Sequence, residues 1–590
     1  VVRRVHIFPP DVDPGAPPAP GARALAGGPR PAFRLRDLGW EPVDLLGSFG
    51  DRAQAAALDE ALSAADAVEA ALAGAGLEPA LVRILQAEAA RLVCAWRRFE
   101  AALGEADELI VHETTGAVSR DRGAAFLRFL QADPGPGDGA RLAAAVLERV
   151  DRVNRLAARC LLPGLPYVVD QRSESGRFRL DARVGRLRIA YLRPGEGPRR
   201  GRLRLVSGIQ GWSQRRLLVP LDGDGAVGRR LAASGALARW PAGLAGLLGA
   251  SAGRYLASRR HAAVFLERAR GRRITGLYNE LITPGVAGIA SALHGAGHDV
   301  ILISHGSLCV HGEPRARRIA ELLARAGLNW SASATHFVPR APIIAGTFPA
   351  PSRGHVLPAR FTRLPAVPPR PPSPFVILHA GNYVRWGNVA YIAPTESEYL
   401  EALVHMADAV EANPHLRLDV RIKAGVVQTG EAEQAIQRTA TRVGGDVFAR
   451  ARGWSSRVVR SAERTFAEAL ARADLVVSEG LTATMHEALE AGKPVLLHTV
   501  TDRFAHMPAR AEPPTPGDRA AVYRCGSGPR LGAMLEAIRV AHQDAPLTEA
   551  ELVPHRWPPG SPPVEAALAA VVTGRHALCA VDGDLTEERV

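Results

Sequence analysis

Chemistry-bearing residues gather most densely between Ala473 and Val495. An apolar run, Leu475-Val-Val-Ser478, leads into a loop carrying Ser478, Gly480, Thr482 and Thr484, and a helix is predicted over Thr484–Glu490. The unpaired N–H groups of a helix's first turn and its positive dipole end suit a phosphate. Gly480 permits close backbone approach, and the hydroxyls add donors. Glu487 lies one turn into the helix, where a carboxylate can accept from two ribose hydroxyls. A βαβ unit also needs a small-residue turn and an N-cap for its own sake, so residue types alone leave both readings open.

Three further places could do chemistry. The loop His379-Ala-Gly-Asn-Tyr-Val-Arg-Trp386 follows another apolar strand and carries Gly381, Asn382 and Arg385. Arg421 and Lys423 alternate onto one face of a predicted strand. The run Ile301-Leu-Ile-Ser304 ends at His305-Gly306. A neutral imidazole can take a proton from an attacking alcohol near physiological pH, although a lone histidine is as often structural. Tyr278-Asn279-Glu280 ends the preceding strand, so Glu280 is placed to orient His305 or to contact an acceptor, with His311 near enough in sequence to substitute.

Other chemistries find little support. Asp222-Gly-Asp224 and Asp582-Gly-Asp584 read as turns, and His294 and His298 lack the glutamate of a HExxH helix. The five cysteines form no CxxC pair, so neither a zinc ribbon nor a disulfide framework is expected. No GxxxxGK[ST] loop, GxSxG elbow or strand-linked GxGxxG occurs. No bound metal is expected.

The elements that must position these groups alternate. From 273, apolar strands at Ile274–Tyr278, Asp299–Ser304 and His336–Val338 are separated by helices near 286–296 and 315–326. Six prolines between Arg363 and Pro374 exclude helix and central strand, so 363–374 reads as an interdomain linker. A second series follows: strands at Phe375–His379, Leu416–Ile422, Leu475–Ser478 and Pro494–His498, with helices over 398–412, 466–473 and 484–490. Such alternation implies parallel, doubly wound sheets, which bind ligands beyond their strands' carboxyl ends. Upstream, 9–32 reads as a Pro/Gly/Ala-rich arm, 52–103 as helices broken at 73–76, Glu108–His112 as a strand, and 121–131 and 140–160 as helices. Arg186–Leu192 and Arg202–Ser207 read as a hairpin or paired strands, and the apolar segment 231–253 as a core helix and loop in preference to a membrane-surface helix.

The stretch around Glu479 and Glu487 resembles the donor-nucleotide half of GT-B glycosyltransferases, which carry two glutamates with seven residues between them, followed by Gly-Lys-Pro-Val, here Gly492-Lys493-Pro494-Val495. The glycine-rich context that some families show at the first glutamate is absent here. The resemblance implies ribose binding by Glu487 and sugar contact by Glu479. It implies donor-phosphate contacts from Gly381, Asn382, Arg385 and Lys423, although Ala424-Gly425 stands where related surface-polysaccharide transferases have His-Pro. His305-Gly306 is similar to the His-Gly of capsule-synthesis and CDP-glycerol glycerophosphotransferase-like proteins, which implies a general base or a phosphate ligand. The implied fold is α/β and GT-B-like: two Rossmann-like, doubly wound domains facing a cleft. The expected organisation is a mostly helical region over 1–180, an acceptor-side domain over 181–362, the 363–374 linker, a nucleotide-donor domain over 375–545 and a C-terminal tail or helix over 546–590.

Composition bounds the partners. With 590 residues, 47% apolar and 23% charged, the chain is of globular type. The net charge is +13, yet only Lys423 and Lys493 are lysine among 73 basic residues, and the charge is spread evenly. That is the mark of a high-GC genome, and no nucleic-acid partner is expected. Five of the six asparagines also fall between 279 and 413, inside the predicted α/β half. A basic surface suits anionic lipid or sugar phosphate. No run is long and apolar enough to span a bilayer, and Val1–Pro10 lacks a signal-peptide core, so a cytoplasmic protein is expected, with peripheral contact at the membrane's inner face admitted. The resemblance implies a glycosyltransferase with a nucleotide-sugar as co-substrate and a surface-polysaccharide or lipid-linked acceptor. A glycerol- or ribitol-phosphate transferase, a nucleotide-sugar 2-epimerase and a non-catalytic scaffold in polysaccharide assembly are the alternatives.

Overall fold

A computed structural model describes residues 3–8, 23–26, 35, 38, 51–112, 118–119, 121–130, 167–170, 188–194, 214–219, 226–241, 243–268, 274–304, 314–346, 348, 355–361, 374–380, 396–421, 457–460, 466–478, 482–498, 509–526, 528–553 and 555–574.

Two six-stranded parallel sheets dominate. The first holds β5 (Tyr167–Asp170), β6 (Arg188–Pro194), β7 (Gln214–Val219), β8 (Ile274–Tyr278), β9 (Asp299–Ile303) and β10 (His336–Val338) in the order β10-β9-β8-β5-β6-β7. The second holds β11 (Phe375–Ala380), β12 (Leu416–Arg421), β13 (Val458–Arg460), β14 (Leu475–Ser478), β15 (Val495–His498) and β16 (Val522–Cys525) in the order β13-β12-β11-β14-β15-β16. Each is the doubly wound Rossmann order, in which the chain moves outward on one side, returns to the centre and winds out on the other. The continuous apolar runs explain the parallel pairing, because both faces are covered: β8, β11, β14 and β15 are buried along their whole length. The GT-B-like architecture implied by the sequence is present as two Rossmann-like units.

Several expectations need correction. The first sheet takes a central strand, β5, from Tyr167–Asp170, ahead of the boundary expected at 181. No hairpin forms at β6, which pairs parallel with β5 and β7; Arg202–Ser207 lies outside the described residues. The N-terminal region carries a four-stranded sheet as well as helices, with β1 (Arg4–Phe8), β2 (Arg23–Ala26), β3 (Glu108–Val111) and β4 (Val118–Ser119) in the order β2-β1-β3-β4. β2 therefore falls inside the stretch read as an arm, because its pairing with β1 is a tertiary contact that composition does not report. Most of the linker (363–373) and the helix expected over 140–160 lie outside the described residues.

The N-terminal region is not a separate body. Its helices Asp51–Leu72 and Pro79–Leu103 share one core with Leu231, Trp240, Leu248, Tyr255 and Leu323, so the apolar stretch 231–253 is core. Glu78, which caps the second of these helices, accepts from the hydroxyls of Tyr255 and Ser291 at 2.5 Å each and pairs with Arg259 at 2.6 Å. Gly288 lets the helices Leu244–Arg268 and Pro284–Gly295 touch backbone to backbone, since a Cβ there would stand 2.2 Å from the Tyr255 carbonyl oxygen. The C-terminal helix Val564–Thr573 returns to the first sheet and packs Leu568 and Val571 against Leu277, Ile301 and Val338.

Candidate functional site

A doubly wound sheet opens a crevice where neighbouring strands lead their chains away in opposite directions. In the second sheet that point lies between β11 and β14, which pair in parallel with His379 opposite Val477. Their carboxyl ends, Ala380 and Ser478, thus lie side by side although far apart in sequence. Strand order brings the two strand ends that precede the sequence-predicted loops to one crevice mouth. Gly381, Asn382, Arg385, Lys423, Glu479 and Gly480 themselves lie outside the described residues.

The helix after β14 spans Ala483–Glu490, with Thr482 as its N-cap in extended conformation. The Thr482 hydroxyl accepts from the Met485 N–H at 3.4 Å, which leaves its own hydrogen available to donate. Thr482, Thr484 and Glu487 are all partly exposed on this short helix. Ser478 is fully buried, which separates it from the accessible hydroxyls. The Gly-Lys-Pro-Val segment has a structural account: Gly492 takes φ 73°, a left-handed value that favours glycine, and the Lys493 N–H returns to the Ala488 carbonyl at 2.9 Å. That turn closes the helix and delivers Pro494 to accept from the Val476 N–H at 3.0 Å, which starts β15.

In the first sheet the corresponding crossover lies between β5 and β8. Glu280 follows β8 and is half-buried beside it. His305 lies outside the described residues, but its predecessor Ser304 is buried at the end of β9, its N–H donating to the Val338 carbonyl at 3.2 Å. The Ser304 hydroxyl accepts from the Arg340 N–H at 3.3 Å. Arg421, at the end of β12, packs its guanidinium 5.9 Å from the Phe466 ring centre, and burial lowers its pKa against the pull of Glu468.

Arg340 joins the two sheets. It stands just past the end of β10, and its guanidinium donates to Glu487 Oε1 at 3.2 Å, across 147 residues of sequence. The pair is shielded, with Arg340 exposing 7% of its side chain and Glu487 25%. The Phe361 ring lies 4.8 Å from the guanidinium, and the Phe361 N–H donates to Glu490 Oε1 at 2.7 Å, a second link between the domains. Two buried histidines line this junction. Burial pushes His486 down to about 3, helped by Arg340 and His555, and burial alone pushes His555 down to about 4, so both are neutral at physiological pH. The Trp557 indole N–H donates to the Pro339 carbonyl at 2.8 Å, fixing the backbone next to Arg340.

The structure thus gathers Thr482, Thr484 and Glu487 at one helix start, with Ser304, beside His305, linked to Glu487 through Arg340. Arg340 is the residue that sequence reasoning missed. Its signal was positional: it follows a predicted strand, His336–Val338, at the end where ligands bind. Among the described residues no group of three histidine, cysteine, aspartate or glutamate side chains could hold a metal ion, and no helix is long and apolar enough to cross a membrane.

No protein-family model matches the sequence, and no curated protein matches it. Solved structures do show similarity. The MurG structure of Acinetobacter baumannii is 12% identical, with 69% of this chain and 99% of that chain covered at a TM-score of 0.36. The glycosyltransferase SnogD from Streptomyces nogalater is 13% identical, covering 69% and 98% at 0.33. A UDP-forming α,α-trehalose-phosphate synthase from Burkholderia xenovorans is 12% identical, covering 69% and 95% at 0.33.

Proposed function

We propose that the chain is a glycosyltransferase that moves a sugar from a nucleotide-sugar donor to a surface-polysaccharide or lipid-linked acceptor. The observation that carries this reading is the contact across two Rossmann-like units on the carboxyl-end side of their strands: Arg340, just past β10, lies 3.2 Å from Glu487 on the helix after β14.

In this reading Glu487 accepts from the donor's ribose hydroxyls. The helix start at Thr482 and Thr484, with Gly480, faces the diphosphate; Gly381, Asn382, Arg385 and Lys423 add phosphate contacts; Glu479 meets the sugar. Ser478 supports the loop from below, consistent with its burial. His305 takes the proton of the acceptor hydroxyl as the acceptor oxygen bonds to the anomeric carbon and the anomeric carbon–phosphate oxygen bond breaks. Glu280 orients His305 or contacts the acceptor. Preorganised N–H groups and cationic side chains then stabilise the departing diphosphate. A lipid-linked acceptor is met by peripheral contact with an anionic membrane surface, which the net charge of +13 favours.

Thermal shift tests the donor site. UDP, GDP, CMP, CDP and dTDP are compared on the wild type and on Glu487→Ala. Stabilisation of the wild type alone by one base is the expected result, about 2.7 kcal/mol at a concentration one hundred times Kd. CMP as the sole stabilising nucleotide would favour glycerol- or ribitol-phosphate transfer, in which cytidine leaves a CDP-linked donor as CMP, and no stabilisation by any of them would leave a non-catalytic scaffold as the better account.

A further inference from the structure

We infer that Arg340 is a specificity-determining positioning residue of the donor pocket, contributed by the opposite domain: it holds the Glu487 carboxylate in the orientation that distinguishes ribose from deoxyribose. The inference rests on the reading of Glu487 as the ribose acceptor.

The argument begins with what fixes Arg340. Its backbone N–H donates to Ser304 Oγ at 3.3 Å, the preceding carbonyl accepts from the Trp557 indole at 2.8 Å, and its guanidinium lies 4.8 Å from the Phe361 ring centre. The backbone at Arg340 is thus held on both sides and a ring lies against the guanidinium, which directs its donors toward the carboxylate it meets. The carboxylate it meets is Glu487 Oε1, at 3.2 Å. Glu487 sits on a helix of only eight residues, and a glutamate carries several rotatable bonds, so the helix alone does not define where the carboxylate points.

His486 is neutral because burial opposes its protonation. Glu490, one turn on, is occupied by the Phe361 N–H at 2.7 Å. Arg340 itself is 7% exposed, and Glu487 is a carboxylate that it meets, at 3.2 Å. Reading two vicinal hydroxyls requires both carboxylate oxygens to lie in the plane of their hydrogens. A carboxylate free to rotate loses that selectivity while still attracting the nucleotide weakly.

The test is a ratio. Dissociation constants are measured for UDP, GDP and CDP and for their 2′-deoxy counterparts on the full chain. The wild type is expected to prefer the ribonucleotide about tenfold or more, the scale of one hydrogen bond to a charged group. In Arg340→Met the ratio collapses towards one; Arg340→Lys retains part of it, because a single ammonium restores the charge but not the planar array of donors. Glu487→Gln in the Arg340→Met background then changes the ratio no further. If Arg340→Met does not fold, Arg340→Lys alone decides, since an unchanged ratio in that variant overturns the positioning role. A merely structural Arg340 would weaken both nucleotides equally and leave the ratio intact, which would also overturn the inference. A wild type that binds ribonucleotides and deoxyribonucleotides equally, or binds none, would instead remove the reading of Glu487 on which the inference stands.

Discussion

Acid should destabilise the domain junction through His486, and by a calculable amount. This residue is fully buried on the helix Ala483–Glu490, and burial holds its imidazole down to about 3, with Arg340 and His555 pushing the same way, against an ordinary value of 6.5. The unfolded chain therefore takes up a proton as the pH drops below 6.5, while the folded protein does not until about 3. The stability this difference confers is complete above pH 6.5, declines as the pH falls through the interval, and is gone below the folded value. Each pH unit inside that window is worth about 1.4 kcal/mol, so moving from about pH 7.5 to about pH 5 costs about 2 kcal/mol from this residue alone. The check compares urea-unfolding free energies of the wild type and His486→Asn at those two pH values. Only the difference between the two acid-induced drops matters, so a constant cost of the substitution cancels. His498, His542 and His112, also held near 4, titrate in both proteins and cancel as well. The variant's drop should be smaller by about 2 kcal/mol. Equal drops would show that His486 is solvated or already charged, and would refute the reasoning.

Two packing predictions complete the set. Gly288→Ala drives a methyl group to 2.2 Å from the Tyr255 carbonyl oxygen, which forces the two helices apart; a loss of about 1–3 kcal/mol in urea unfolding is expected, and a neutral result would show that the helices are not in backbone contact. Trp557→Phe removes the N–H that the Pro339 carbonyl accepts and leaves that carbonyl unpaired beside Arg340, costing about 1–3 kcal/mol; retention of full stability, measured the same way, would mean that water replaces the indole.

Legibility in the sequence followed burial. The strands β8, β9, β11, β14 and β15 were readable because both their faces are covered and their residues are continuously apolar. The long helices were readable from their three-and-four spacing, as at Leu81, Ile84 and Leu85, all of which are buried. β5 was not, because Tyr-Val-Val-Asp is short, mixes polar ends with two apolar residues, and owes its place to partners on both sides. β1 escaped because Arg-Val-His-Ile-Phe is broken by charged and polar residues, and β2 because it is a short edge strand in a stretch whose prolines and glycines read as loop. At the candidate site the hydroxyls and Glu487 were visible because one strand, loop and helix hold them within a few residues. Arg340 was not, since its partner lies 147 residues away on another domain.

β13 and β16 escaped the sequence reading, which by itself determined four of the six strands of the second sheet, β11, β12, β14 and β15, and the helix after β14. These depend on local apolar period, capping and backbone conformation, which act over a few residues. Only the tertiary structure decided the order β13-β12-β11-β14-β15-β16, which sets the distant strand ends Ala380 and Ser478 side by side, and the contact between Arg340 and Glu487. Strand order and cross-domain ion pairs are long-range choices. The entropy of closing a chain loop changes slowly with its length, so sequence distance scarcely biases which partners meet, and side-chain packing selects them.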